Sequence, residues 1–86
     1  MMRPAQGISW FVETRGATLG SQDGGIRLSI PYPHAALWAI IANGNYRRDW
    51  AVDLIRTLLC TDKDTAQREV EKTLDVWLQT GIVSGD

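Results

Sequence analysis

The order of the segments between Ile26 and Val83 constrains this chain more than any single residue does. Ile26-Arg27-Leu28-Ser29-Ile30 alternates aliphatic and polar positions, which predicts a strand with one buried face, and Pro31-Tyr32-Pro33 ends it. Ala35-Ala36-Leu37-Trp38-Ala39-Ile40-Ile41 then predicts a short helix that stops at Asn43-Gly44. A second helix is expected over Trp50 to Leu59. A third is expected over Ala66 to Leu78, closed by Thr80-Gly81-Ile82-Val83.

Upstream, Ile8-Ser9-Trp10-Phe11-Val12-Glu13 alternates with Ile8, Trp10 and Val12 on one face, Arg15-Gly16 breaks it, and Ala17-Thr18-Leu19-Gly20 forms a weaker strand. Ser21-Gln22-Asp23-Gly24-Gly25 is hairpin chemistry, because Asp-Gly supplies the positive φ values of a tight turn. The three strands make an antiparallel meander, and three helices follow it. The fold class is therefore α+β, on the plan of a winged helix-turn-helix: a three-stranded antiparallel sheet, then three helices. Residues 8–84 are expected to form one domain and residues 1–7 a flexible N-terminus.

Finer expectations follow from side-chain chemistry. Pro33 suits the first turn of the first helix, Gly44 the left-handed position after it, and Asp49 the cap of the second. Trp50, Leu54, Ile55, Leu58 and Leu59 are spaced as the buried stripe of the second helix, and Ala66, Val70, Leu74, Trp77 and Leu78 as that of the third. The loop Thr61-Asp62-Lys63-Asp64 offers caps for the third helix. Trp10, on a thin strand, is the tryptophan expected to be partly exposed.

Catalysis has little to work with. The chain holds 86 residues, so its large apolar side chains, each contributing roughly 1.5–3 kcal/mol when buried, are committed to folding. One Cys and one His exclude a disulfide framework and a Cys-based zinc site, and no metal or cofactor motif is present. His34 reads as a surface or capping residue without a catalytic partner, and Cys60 as a small buried hydrophobe. No apolar run approaches a membrane span, and the N-terminus lacks the apolar core of a signal peptide, so a cytoplasmic protein is expected.

That leaves recognition of a polymer. Winged-helix domains often read DNA with the third helix, and a DNA-binding transcriptional regulator is the alternative reading. With its capping loop, that helix sets Lys63, Arg68 and Lys72 against Asp62, Asp64, Glu69, Glu71 and Asp75. The net charge of the chain is -1, and such a surface repels phosphates, so no nucleic-acid partner is expected. A peptide fits better, because an edge strand has unpaired N–H and C=O groups that accept an added strand.

The residues then carry a resemblance. Gly25-Ile26-Arg27-Leu28-Ser29-Ile30 and Ala35-Ala36-Leu37-Trp38-Ala39-Ile40-Ile41-Ala42-Asn43-Gly44 look like the strand and first helix of PqqD-like proteins. Those proteins are the precursor-peptide recognition elements of ribosomal peptide biosynthesis. Glu69-Val70, Leu74 and Gly81-Ile82-Val83 resemble that family's third helix and its end. The likeness covers about residues 8 to 84 and departs at Ile30-Pro31, where the family often has Leu-Asn, and at Thr73, where it often has a large apolar residue.

The resemblance implies a small non-enzymatic adaptor, similar to the leader-binding proteins of lasso-peptide pathways. Such a domain binds the leader segment of a precursor peptide as an added strand, between the third strand and the third helix. It presents the precursor to a tailoring enzyme such as a radical enzyme, a cyclodehydratase or a leader peptidase. The peptide-binding residues expected here are Ile26, Arg27, Leu28, Ser29 and Ile30 on the strand, and Glu69, Thr73 and Val76 on the helix. An uncovered edge strand also leaves open a homodimer through that edge.

Overall fold

The computed structural model describes residues 2–85. A two-residue strand β1 (Arg3–Pro4) precedes β2 (Ile8–Glu13), β3 (Gly16–Ser21) and β4 (Arg27–Pro31). Then come α1 (His34–Ala42), α2 (Arg48–Leu59), α3 (Lys63–Thr80) and a last short strand, β5 (Val83–Ser84). β2, β3 and β4 form an antiparallel sheet with β3 in the middle, so β2 and β4 are both free edges. The fold is α+β, three strands followed by three helices, as expected.

Local chemistry sets the sheet register. Asp23 Oδ1 accepts hydrogen bonds from the Ser21 hydroxyl and from the Gly25 N–H, Gly24 takes φ +77°, and the Ser21 N–H donates to the Ile26 carbonyl. These bonds, the Ser21 hydroxyl first, also hold the Asp23 carboxyl below its usual range. The turn aligns Leu19 with Leu28 and Ala17 with Ile30, while β2 sets Trp10 against Leu19 and Val12 against Ala17. One face of the sheet is thus apolar across all three strands. Gly16 is needed where β3 meets the end of β4: a Cβ there would lie 2.3 Å from the Ile30 carbonyl oxygen.

α1 covers that face. Its sequence is apolar all round apart from His34, yet Ala35, Leu37, Trp38 and Ile41 are buried while Ala36, Ala39 and Ile40 remain half-exposed. Trp38 is the centre of the core, edge-to-face with Trp10 of β2 and with Trp77 of α3, both at 5.7 Å between ring centroids. Its Nε1–H is buried without a conventional partner.

α2 differs from expectation. Arg47 is its N-cap, with no side-chain cap bond, and Asp49 sits in the first turn, where its charge suits the helix dipole without capping. The buried stripe is Ala51, Val52 and Ile55; Leu54 and Leu58 are half-buried, and Trp50 and Leu59 are exposed. Small Ala51 lets the helix approach its neighbours closely and turns Trp50 outward, where the Arg47 guanidinium stacks 4.9 Å above its ring. Cys60 is exposed rather than buried, because it ends the helix in the left-handed region at φ +53°.

α3 starts at Asp62, whose carboxylate accepts the Thr65 N–H at 2.7 Å. It ends at Gly81 in the left-handed region, with Ile82 buried behind it. Ala66, Val70, Thr73, Leu74 and Trp77 face the core, and Leu78, one position beyond the stripe, is exposed.

Within the stretch expected to be a flexible N-terminus, Arg3 and Pro4 form a short strand. Arg3 and Pro4 pair with Ser84 and Val83, and the Ala5 N–H donates to the Ile82 carbonyl at 2.9 Å. Buried Ile82 and Val83 give this two-stranded clasp its purchase; Met1 lies outside the described residues. Among the described residues, no helix is long and apolar enough to cross a membrane.

Candidate functional site

The site expected from the sequence comprises the β4 edge and one flank of α3, which the structure links through α1. On β4, Arg27 and Ser29 point to the open face of the sheet and are exposed; Ile26 and Leu28 are half-buried, and Ile30 is buried. The aliphatic side chains therefore grade from reachable at the hairpin end to inaccessible at the helix end. Alternate backbone N–H and C=O groups of an antiparallel edge point away from its one neighbour, here β3.

On α3, Glu69, Thr73 and Val76 follow one another at helical spacing along a single flank. Val76 is 51% exposed, a free apolar surface as expected. Thr73 is not a surface residue: it is only 8% exposed, because Val70, Leu74 and Trp77 crowd around its turn. It can shape the base of a groove but offers little area of its own. Glu69 is engaged: His34 Nε2 donates to its Oε1 at 2.9 Å. His34 begins α1 shortly after β4 ends, so this contact fastens the Glu69 flank of α3 to the end of the strand.

His34 is the site residue that the sequence did not reveal. Its partner lies 35 positions away, and nothing local links them. The pair is about one-quarter to one-third exposed, so it is a solvent-touched junction between α1 and α3. No group of three His, Cys, Asp or Glu side chains among the described residues could hold a metal ion.

A second concave feature lies on the other flank of α1. Val12 and Glu13 of β2, Tyr32, the Ala35, Ala36, Ala39 and Ile40 flank of α1, and Leu54 line an open, largely apolar hollow of about 400 Å³. A third, between α2 and α3, is lined by mixed charges including Arg48, Asp49, Asp53 and Lys63. Arg48 is ion-paired to Glu71 across the same two helices.

No family model matches the sequence, and no curated protein matches it. Among solved structures, the chain superimposes on TbiB1 in complex with the TbiA(beta) leader peptide, with a TM-score of 0.85. The two are 14% identical, and the match covers 98% of this chain and 96% of that one. The likeness shows a shared fold over essentially the whole domain.

Proposed function

We propose that the protein is a PqqD-like recognition element. It binds the leader segment of a ribosomally made precursor peptide as a strand added to β4, and presents the precursor to a separate tailoring enzyme. The observation that carries this reading is the full-length likeness to a protein solved with a leader peptide bound. The free β4 edge beside half-buried Ile26 and Leu28 and exposed Val76 supports it.

The energetics favour a groove with apolar anchors. Four backbone hydrogen bonds contribute roughly 0.5–1.5 kcal/mol each. A micromolar complex needs about 8 kcal/mol, and ordering a flexible leader costs about 2–5 more. Backbone pairing falls short, so leader side chains must bury apolar surface against Ile26, Leu28 and Val76. Arg27 and Ser29 face away and contribute through their backbone.

The role is non-catalytic in this reading. The one imidazole is tied to Glu69, and the one thiol caps a helix at the surface. DNA binding is disfavoured, because the exposed charges of α3 are Lys63, Arg68 and Lys72 against Asp64, Glu71 and Asp75. Titrating a labelled leader while recording amide shifts tests the proposal. Shifts are expected on β4 and on α3 around Glu69 to Val76; shifts confined to β2 or α2, with β4 silent, would refute it.

A further inference from the structure

We infer that β2 is a pairing edge for a second copy of this chain, with Phe11 on the two-fold axis. The inference stands whether or not β4 receives a leader. β2 is a six-residue edge strand in unbroken register with β3, from Ile8 opposite Ser21 to Glu13 opposite Gly16. Edge strands are normally guarded by charged side chains, Pro or a bulge, and β2 carries just one such group, Glu13 at its last position, leaving Ile8 to Val12 unguarded. It instead shows three consecutive exposed apolar residues, Trp10, Phe11 and Val12, with Phe11 65% exposed. Exposed apolar clusters of this kind mark interaction surfaces.

The neighbouring hollow points the same way. α1 is apolar on every side, yet its Ala36, Ala39 and Ile40 flank faces only that hollow, beside Val12. A helix of this composition is expected to be covered.

A second copy supplies the cover by self-complementarity. Antiparallel pairing of β2 with itself about Phe11 sets Phe11 against its own counterpart on one face of the joined sheet. On the other face, Trp10 stands opposite Val12 of the second copy. Ser9 falls opposite Glu13, so no like charges meet. In the same register each copy's Trp10, 40% exposed in the single chain, arrives beside the other copy's Val12 at the rim of the hollow. The result is an isologous interface joining two sheets into one of six strands, with both β4 edges outermost and free. Stable interfaces bury about 800 Å² per partner, and one short strand with one hollow lies at the low end of that class, so association in the micromolar range is expected.

The test is cross-linking with sedimentation. In a Cys60→Ser background, Phe11→Cys should give a disulfide-linked dimer under mild oxidation. Thr18→Cys, exposed on the same sheet face but on the central strand, should not. The unmodified chain should sediment increasingly as a dimer from low to high micromolar concentration, and Phe11→Lys should remain a folded monomer by circular dichroism. A chain monomeric throughout that range overturns the inference, and so do equal cross-linking at both positions or dimers that survive Phe11→Lys. Leader titration of the Phe11→Lys monomer keeps the two readings separate: unchanged shifts on β4 uphold leader binding whatever becomes of the dimer.

Discussion

The two free edges of the sheet are built differently. β4 has five residues, opens with Arg27, ends at Pro31 and turns exposed Ser29 to solvent, and the start of α1 that follows it is tied to Glu69 of α3. β2 has six residues and one charged side chain, Glu13 at its end, carries exposed aromatic and aliphatic side chains on both faces, and has beside it an apolar hollow lined by α1. Backbone hydrogen bonds are available to a visitor at either edge. In the proposed function α3 adds to β4 a wall that accepts some side chains and clashes with others, so discrimination between peptides is assigned to β4; in the proposed self-association β2 meets a partner of fixed sequence, its own.

The largest effect should come from removing one edge while sparing the other. Gly16→Ala drives a Cβ into the Ile30 carbonyl, and a backbone atom has no rotamer with which to retreat. Overpacking of this kind costs about 1–3 kcal/mol, or more where nothing can shift. Urea denaturation should show the loss, and amide exchange should accelerate on β4 more than on the Ile8 end of β2. Unchanged stability would mean that β3 and β4 separate more easily than their register implies.

Next in size is the affinity contrast. Val76→Asp places a charge where the proposed leader would be desolvated, and should cost more than about 1 kcal/mol in peptide affinity at unaltered folding stability. Phe11→Lys should leave that affinity alone. Calorimetry on both variants sharpens the comparison, and equal losses would erase it.

A change remote from both edges provides the baseline. Cys60→Gly relieves a left-handed residue at the end of α2 and should stabilise the fold by up to about 1 kcal/mol in thermal or urea unfolding, with leader affinity and self-association unmoved.

The smallest effect is a pH dependence shared by the hairpin into β4 and the start of α3. Asp23 sets the hairpin into β4 and Asp62 caps α3. Both carboxyls are held below the usual carboxylate range, chiefly by the hydrogen bond from the Ser21 hydroxyl and by that from Thr65 respectively. A carboxyl depressed on folding adds stability that is fully present above its unfolded value and is lost as pH falls through its folded value. Both groups are exposed, so the acid limb should be shallow. Asp62→Asn should flatten it, as read from melting temperature between neutral pH and pH about 3.

Much of this architecture was legible because its signals are local. The Asp23-Gly24 hairpin, the prolines that stop β4, the apolar run of α1 and the glycine that ends α3 each act within a few residues of themselves. What stayed hidden depends on distance. The His34–Glu69 bond joins residues 35 positions apart, and β1 and β5 are too short to show a period. The α2 stripe was misplaced because periodicity ranks residues by size and hydropathy. The structure chose small Ala51 for close approach and left Trp50 outside under Arg47. Thr73 shares a flank with Glu69 and Val76 by spacing, yet it is buried, since helical position gives direction and says nothing of depth.

The clasp of β1 on β5 sets the timing of folding. Arg3 meets Ser84 across almost the whole length of the chain, whereas the β3–β4 hairpin closes over four residues. Loop closure becomes costlier as the enclosed segment lengthens, and contacts between distant residues slow the step that forms them. The clasp is therefore the last pairing to form and, with only two residues a side, the first to open. During synthesis the meander and α1 can assemble as soon as they emerge, but the β1–β5 pairing waits for residues 83 and 84 to leave the ribosome.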